Sequence, residues 1–353
     1  MERGLLSAWH VDEGAPLSVG DELVDIETEK IANSVEATHS GILRRRIGTV
    51  GEAYPCGALI GVIAEATVAE EEITAFVAEH AATSRPVSVE ASGPTPQMID
   101  VNGHSLRYLT QGAGGVPVLL IHGLAGDLNN WLFVQPALSG RRVCYAVDLP
   151  GHGGSSKDLS GIHNLVDVGD LLLAFLDRLA LDRVHLVAHS MGAAVALDLA
   201  RRRGHRLASL TLLSPAGLGV SSNSEFIAGL MAAGNRREMA AVLKMLLADE
   251  VQVSRDLVND MLKYKRLDGA EAALRKFCEF LSQENRSTAQ ALAGVATPVQ
   301  VIWGAQDRIL RPLTAAELPS NVRLTVLEST GHMPHLEKSS RVVEAIENWG
   351  PSG

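Results

Sequence analysis

The chain has 353 residues, of which 46% are hydrophobic and 20% charged, a composition that excludes fibrous, collagen-like and wholly disordered proteins. This length predicts two or three domains whose cores need no disulfides. The three cysteines, Cys56, Cys144 and Cys278, are widely spaced and form no Cys-x-x-Cys pair, which argues against a disulfide framework and a zinc site. We therefore expect no bound metal and a reducing, cytoplasmic environment.

The net charge of −10 is concentrated in the first part of the chain. Residues 1–98 contain 16 acidic and 6 basic side chains, whereas residues 99–353 contain 25 of each. An acidic segment of this kind repels nucleic acid and anionic lipid. No apolar run reaches the roughly 18 residues of a membrane helix, and residues 1–10 lack the pattern of a signal peptide. We expect neither a nucleic-acid partner nor a membrane span.

The first 97 residues predict a small β module followed by a linker. Residues 1–66 consist of short apolar stretches separated by glycine-containing or acidic turns, which is typical of a small all-β module. Residues 67–97 are acidic and contain many Ala, Ser, Thr and Pro, with a helix-compatible stretch over residues 70–80. A flexible linker of about 30 residues spans roughly 30 Å. The β module could therefore reach the rest of the chain.

Residues 98–353 show a different pattern, in which apolar strand-like runs alternate with helix-length segments. This alternation predicts an α/β domain with a mainly parallel sheet covered on both faces. Residues 217–293 interrupt it with a long block rich in Ala, Leu and Met that has helical periodicity. Because ligands of open parallel sheets bind beyond the carboxyl ends of the strands, we expect this block to form a helical cap over the site.

Three polar residues follow predicted strands of this sheet. Ser190 lies at a small-residue turn between a strand-like run and a helix, Asp307 follows a later strand, and His332 follows the last one. Because the carboxyl ends of parallel strands share one edge, we expect the three side chains to converge. A serine, a histidine that takes and returns its proton, and an orienting carboxylate form a nucleophilic site. Taken alone, Ser190 has a simpler alternative explanation as a serine that caps a helix.

Backbone amides and neighbouring side chains complete the predicted site. Leu124, in a glycine-containing loop after a strand, and Met191, at the start of the helix, are the expected amide donors to an oxyanion. Asp148 ends an earlier strand and is the alternative acid. His189 is a candidate substrate contact, and His335 is expected to be a packing or capping residue.

Residues 98–353 resemble the α/β-hydrolase superfamily. The resemblance rests on the strand–turn–helix around Ser190, in which Ala188 replaces the first glycine of the usual Gly-x-Ser-x-Gly pattern, and on the order Ser190, Asp307, His332. It implies that Ser190 is the nucleophile, that His332 acts as base and acid, and that Asp307 orients His332. It also implies an oxyanion hole formed by the amides of Leu124 and Met191.

The β module carries one lysine, Lys30, at the tip of a predicted hairpin. By position alone it is a surface lysine in a turn. The surrounding Glu27-Thr28-Glu29-Lys30-Ile31 and the flanking glycine turns resemble the lipoyl domains of 2-oxo acid dehydrogenase complexes, which implies covalent lipoate on Lys30. Biotin carriers usually have Met on both sides of the lysine, whereas Glu29 and Ile31 flank Lys30 here. Lipoyl domains usually begin with a further strand before the segment that matches residues 1–10, so we expect a module without its first strand.

A lipoyl-type module joined to an α/β-hydrolase domain resembles the dihydrolipoamide acetyltransferase components of acetoin dehydrogenase complexes. This resemblance implies an acetyltransferase that moves an acetyl group from lipoyl-Lys30 to coenzyme A through Ser190, His332 and Asp307. It implies a thiamine-diphosphate-dependent dehydrogenase and dihydrolipoamide dehydrogenase as partners, and a small-molecule acyl substrate.

Two other functions stay open for the sequence. One is a cytoplasmic ester, thioester or carbon–carbon bond hydrolase with a vestigial lipoyl module. The other is a carrier and scaffold subunit without activity. The sequence also leaves open a homo-oligomer and a direct attack of the acceptor thiol without an acyl-serine.

Overall fold

The computed structural model describes residues 3–27, 32–55, 57–80, 94–283, 291–292 and 294–349. The chain divides into two compact units, Met1–Gly93 and Pro94–Gly353. The boundary between the units falls within the predicted linker. Among the helices of the described residues, none combines the length and the apolar character that crossing a membrane requires.

The first unit contains seven described strands in two sheets. They are β1 (Arg3–Trp9), β2 (Pro16–Leu17), β3 (Glu22–Glu27), β4 (Ala32–Glu36), β5 (Gly41–Arg46), β6 (Ala53–Pro55) and β7 (Gly61–Ala64). One sheet has the order β4-β3-β1-β6 and the other the order β2-β5-β7, with antiparallel pairing throughout. Alternate side chains of these strands meet in a small apolar core that includes Leu6, Leu43 and Tyr54.

Two features of the first unit bear on the sequence predictions. Strands β3 and β4 form an antiparallel hairpin in which Glu27 pairs with Ala32, while the intervening Lys30 lies outside the described residues. Helix α1 (Glu70–Glu79) occupies part of the predicted linker, and Arg44 and Arg45 both form ion pairs with Glu70 at its start.

The second unit is built on an eight-stranded sheet with the order β15-β14-β13-β12-β10-β11-β9-β8. The strands are β8 (Gln97–Val101), β9 (His104–Gln111), β10 (Val118–Ile121), β11 (Cys144–Val147), β12 (Val184–His189), β13 (Leu207–Leu213), β14 (Val299–Gly304) and β15 (Val322–Leu327). Strands β10 to β15 run parallel, and β8 and β9 are antiparallel additions at one edge. Every residue of β10, β12, β13 and β14 is buried, as in strands covered on both faces. The predicted α/β class is confirmed.

Helices cover this sheet and also form a separate insertion. The helices are α2 (Gln135–Leu138), α3 (Leu165–Arg178), α4 (Met191–Arg203), α5 (Ser224–Ala232), α6 (Arg236–Lys244), α7 (Arg255–Lys265), α8 (Ala270–Ser282), α9 (Pro334–Glu337) and α10 (Ser339–Glu347). Helices α5 to α8 lie between β13 and β14 in the chain, where the sequence predicts a cap. Their starts are fixed locally: Asn223, Asn235 and Ser254 cap the first amides of α5, α6 and α7.

The loops after β14 and β15 pack directly against each other through glycine. A Cβ atom on Gly304 would lie 2.0 Å from the carbonyl oxygen of Gly331 and 2.4 Å from that of Thr330. The amide of Gln306 also donates to the Thr330 carbonyl, at 2.9 Å. The missing side chain at Gly304 therefore lets the loop that carries Asp307 approach the loop that carries His332.

We expect Gly304→Ala to lower the free energy of unfolding by about 1–3 kcal/mol, because the added methyl group overlaps backbone atoms that cannot swing away. Urea unfolding followed by circular dichroism measures this change. Gly140→Ala is the matched control, since its Cβ atom would have a nearest neighbour at 3.8 Å. The same loss of stability in both variants would contradict a steric role for Gly304.

Candidate active site

Ser190 lies at a tight turn between β12 and α4. Its backbone is in the left-handed region, with φ of 50° and ψ of −115°, which is rare and costly for a residue with a side chain. The turn is held by bonds from the Ser190 amide to the Leu213 carbonyl and from the Ala193 amide to the Ser190 carbonyl, both 2.9 Å. A Cβ atom on Gly192 would lie 2.5 Å from the His122 carbonyl oxygen. Gly192 therefore allows the turn to pack against the loop after β10.

The structure brings Ser190, His332 and Asp307 together in one chain of hydrogen bonds. His332 Nε2 is 2.9 Å from Ser190 Oγ, and His332 Nδ1 is 2.8 Å from Asp307 Oδ2. With its proton on Nδ1, neutral His332 donates to Asp307 and accepts the hydroxyl proton of Ser190. Both His332 and Asp307 are buried. This is the arrangement that a serine nucleophile and its general base require.

The surroundings of Asp307 favour its ionised carboxylate form. Its Oδ2 also accepts from the indole of Trp303 at 2.9 Å, and its Oδ1 accepts from the amides of Ile309 and Leu310 at 2.8 and 3.0 Å. Burial is the strongest single influence and raises the pKa of Asp307, but His332 and the two amides together outweigh it and hold the pKa below its ordinary value. The ionised carboxylate fixes the tautomer of His332 and stabilises its imidazolium form.

Asp148, the alternative acid, accepts its hydrogen bonds from groups other than His332. Its Oδ2 accepts from Arg107 Nε and from the Gly154 amide, both at 2.6 Å, and its Oδ1 accepts from the Leu128 amide at 2.7 Å. The side chain is fully buried and ties together loops around the end of β11. The structure therefore gives Asp148 a structural role and does not bring it to His332.

The loop of the predicted oxyanion donor Leu124 lies against Ser190. A Cβ atom on Gly123 would be 3.0 Å from Ser190 Cβ and 2.7 Å from His189 Nδ1, so this glycine permits the close approach. Met191 is the first residue of α4, where amides have no partner within the helix. The two predicted amide donors thus come from the two segments that flank the Ser190 side chain.

Buried histidines surround the base, and their contacts could not be predicted from the sequence. His189 Nε2 donates to the carbonyl oxygen of His332 at 2.8 Å. The ring of His189 lies 4.9 Å from that of His332 and 4.5 Å from that of His335. His335 packs on Trp131, with ring centroids 4.9 Å apart, as expected of a packing residue. The position of His189 directly before Ser190, at a strand end, was the available signal for its contact with the base.

Ser190 and His332 open into a small apolar cavity of about 60 Å³. Its remaining walls come about equally from the loop after β10 with its neighbours and from the cap. The cap contributes Phe226, Leu230, Leu243, Leu246, Leu257 and Met261, and Met333 lies beside His332. A cavity of this size holds a group of only a few heavy atoms, and its walls favour an apolar one. Within the described residues, no group of three or more His, Cys, Asp or Glu side chains is placed to hold a metal ion.

Comparisons with known proteins identify the family of the chain. Residues 118–345 match the model of the Alpha/beta hydrolase family. The chain is 40% identical over 346 residues to the dihydrolipoyllysine-residue acetyltransferase component of the acetoin cleaving system of Pseudomonas putida, covering 97% of this chain and 93% of that protein. It is 38% identical over 343 residues to the component of the same name from Cupriavidus necator, covering 96% and 91%.

Solved structures share the fold of about seven tenths of the chain. One is the meta-cleavage product hydrolase from Pseudomonas fluorescens IP01, with a TM-score of 0.65 and 20% identity, covering 71% of this chain and 96% of that one. Another is a 2-hydroxy-6-oxo-6-phenylhexa-2,4-dienoate hydrolase from a Rhodococcus strain, with a TM-score of 0.63 and 20% identity, covering 72% and 99%. At this level of identity the similarity concerns the fold.

We expect stability to fall on acidification because of the buried histidines. Burial lowers the pKa of His335 and of His152 to about 3, whereas a histidine in the unfolded chain has a pKa of about 6.5. Below that value the unfolded state binds protons that the folded state does not, so stability is complete at pH 7 and declines toward pH 3. Each of these two histidines should lower the free energy of unfolding by about 1 kcal/mol between pH 7 and pH 5.5.

Urea unfolding at the two pH values checks this expectation. His335→Phe should reduce the difference between pH 7 and pH 5.5 by about 1 kcal/mol, and His205→Phe, at an exposed position, should retain the wild-type difference. An unchanged pH difference in His335→Phe would contradict the assignment of a neutral, buried imidazole.

Proposed function

Because the chain belongs to the α/β-hydrolase family and to the acetyltransferase components of acetoin cleaving systems, we propose that it transfers acetyl groups from a dihydrolipoyl thioester to coenzyme A at Ser190. The observation that carries this proposal is the hydrogen-bond chain from Ser190 Oγ through His332 to Asp307, placed at a cavity of about 60 Å³. An acetyl group is the kind of small, largely apolar group that such a cavity accepts.

In the first half of the reaction, Ser190 is acetylated. The serine oxygen attacks the carbonyl carbon of the acyl thioester while its proton moves to His332 Nε2, and Asp307 stabilises the resulting imidazolium. The amides of Leu124 and Met191 donate to the developing oxyanion, where each such donor contributes about 2.7–4 kcal/mol. The carbon–sulfur bond then breaks, His332 returns the proton to the departing sulfur, and Ser190 is left as its acetyl ester.

The second half regenerates the enzyme. His332 takes the proton of the coenzyme A thiol, whose sulfur attacks the carbonyl carbon of acetyl-Ser190. The carbon–oxygen bond breaks, and His332 returns the proton to Ser190 Oγ. Hydrolysis of the ester is the competing reaction, so the cap must keep water from the cavity. The Leu, Met and Phe side chains of the cavity wall perform this exclusion in our proposal.

The proposal assigns the first unit to carry the acyl group on lipoate attached to Lys30. Its two antiparallel sheets and compact core support a lipoyl-type module. The β3–β4 hairpin, paired up to Glu27 and Ala32, supports a fixed base for an arm attached between them. Joining the arm to the acceptor domain in one chain raises its effective concentration to about the millimolar range. A thiamine-diphosphate-dependent dehydrogenase would load the arm, and dihydrolipoamide dehydrogenase would reoxidise it.

Ser190→Ala should lower the rate of acetyl-coenzyme A formation from acetyl-dihydrolipoamide by about 10⁴-fold or more, because no acyl-serine can form. Chromatography of acetyl-coenzyme A measures transfer, and released acetate measures hydrolysis in the same samples. Ser160→Ala, at an exposed position, is the control and should keep the wild-type rate. A wild-type protein that releases acetate without forming acetyl-coenzyme A would instead support the hydrolase alternative.

Lys30→Arg should abolish transfer of an acyl group carried by the protein itself but leave transfer from free acetyl-dihydrolipoamide intact. Intact mass after expression with lipoate should show the modification in the wild type and in the control Lys338→Arg, and not in Lys30→Arg. If Lys30→Arg still transfers a protein-bound acyl group, the assignment of the arm to Lys30 is wrong. The role of Ser190 can still be tested with free acetyl-dihydrolipoamide.

A further inference from the structure

The Ser190 cavity continues outward into a larger cleft. This outer cleft has a volume of about 510 Å³, and five of its lining residues also line the Ser190 cavity: Ala125, Gly126, Asn130, Leu257 and Met261. Lys263 and Tyr264 of α7 also line it. The outer cleft is therefore a route from solvent to the serine.

A second, basic cleft adjoins this route. It has a volume of about 380 Å³ and is lined by Gly234, Asn235, Arg236, Asn259, Leu262, Lys263 and Arg266. Lys263 lines both clefts. On α7, Leu257, Met261 and Tyr264 lie on the face toward the outer cleft, whereas Asn259, Leu262 and Arg266 lie on the opposite face. A ligand that occupies both clefts therefore passes around α7 at Lys263. Leu257 and Arg266 are nine residues apart, which corresponds to about 14 Å along a helix.

The lining of the basic cleft is cationic. It contains Arg236, Lys263 and Arg266, and within the part of the chain that the structure describes no Asp or Glu lines it, although the chain as a whole has a net charge of −10. Arg236 Nε donates to Asn259 Oδ1 at 2.9 Å, which holds its guanidinium at the cleft. Lys263 has an exposed partner in Asp260 at 3.2 Å. Two guanidinium groups and an ammonium group around one cleft form a site suited to phosphate groups.

We propose that the basic cleft binds the phosphates of the coenzyme A nucleotide, with the pantetheine arm in the outer cleft and the thiol at the Ser190 cavity. This inference rests on the proposed function. The acyl donor arm carries no phosphate, so it needs only the outer cleft and the cavity. The basic cleft then selects the acceptor: it favours coenzyme A over shorter thiols and over water, after the donor thiol has left the outer cleft.

The first test compares two acceptors. Arg236→Gln/Arg266→Gln should lower the ratio of kcat/KM for coenzyme A to that for pantetheine by roughly tenfold, through a higher KM for coenzyme A. Both side chains are exposed, so the fold should survive, and thermal unfolding verifies this. Arg237→Gln is the matched control, because Arg237 is an exposed neighbour that does not line the cleft. It should keep the wild-type ratio.

The second test measures binding without turnover. Calorimetry with 3′-phospho-ADP should show binding to the wild type and to Arg237→Gln, and roughly tenfold weaker binding to the double variant, with a decrease at high salt. An unchanged acceptor ratio and equal binding by the double variant would overturn the inference while leaving acetyl transfer intact. If the wild type forms no acetyl-coenzyme A, the proposed function fails, and the binding measurement still decides the role of the basic cleft.

Discussion

The hydrogen bond between His332 Nδ1 and Asp307 Oδ2 is the interaction on which the candidate site depends. It joins the loop after β14 to the loop after β15 and leaves His332 Nε2 directed at Ser190 Oγ. The bond is possible because Gly304 has no side chain and lets the two loops come into backbone contact. His332 and the amides of Ile309 and Leu310 together outweigh the effect of burial and keep the pKa of Asp307 below its ordinary value, so the charge that orients the base survives in a buried position.

The cap determines what this arrangement can do. A serine, a histidine and a carboxylate can serve hydrolysis as well as acyl transfer, and the fold is shared with hydrolases. In our proposal the difference lies in the access to the serine. A cavity for only a few heavy atoms leaves little room for water beside an acyl group, and the clefts along α7 offer an acceptor more contacts than water can make. Binding of the acceptor would then favour transfer over hydrolysis.

Much of this site could be predicted from the residues that follow each strand. Ser190, Asp307 and His332 were found because parallel strands end at one edge, and their side chains do meet. Asp148 also follows a parallel strand, and the sequence alone could not exclude it, because its partner Arg107 lies 41 residues away in the chain. The contact of His189 with the His332 carbonyl spans 143 residues and has no local signature. The role of Lys30 stays a prediction, because it lies outside the described residues.

The sequence alone determined the α/β class and the small β module, because alternating apolar runs and turn residues act over short ranges of the chain. The family was indicated by resemblance, through the residues around Ser190 and Lys30 and the order of Ser190, Asp307 and His332. The tertiary structure decided which carboxylate partners His332, how small the cavity is, and that Arg236, Lys263 and Arg266 surround one cleft. Each of these depends on distances between segments far apart in the chain. Such distances arise from how the sheet orders its strands and how the cap helices pack, and no local pattern of residues encodes them.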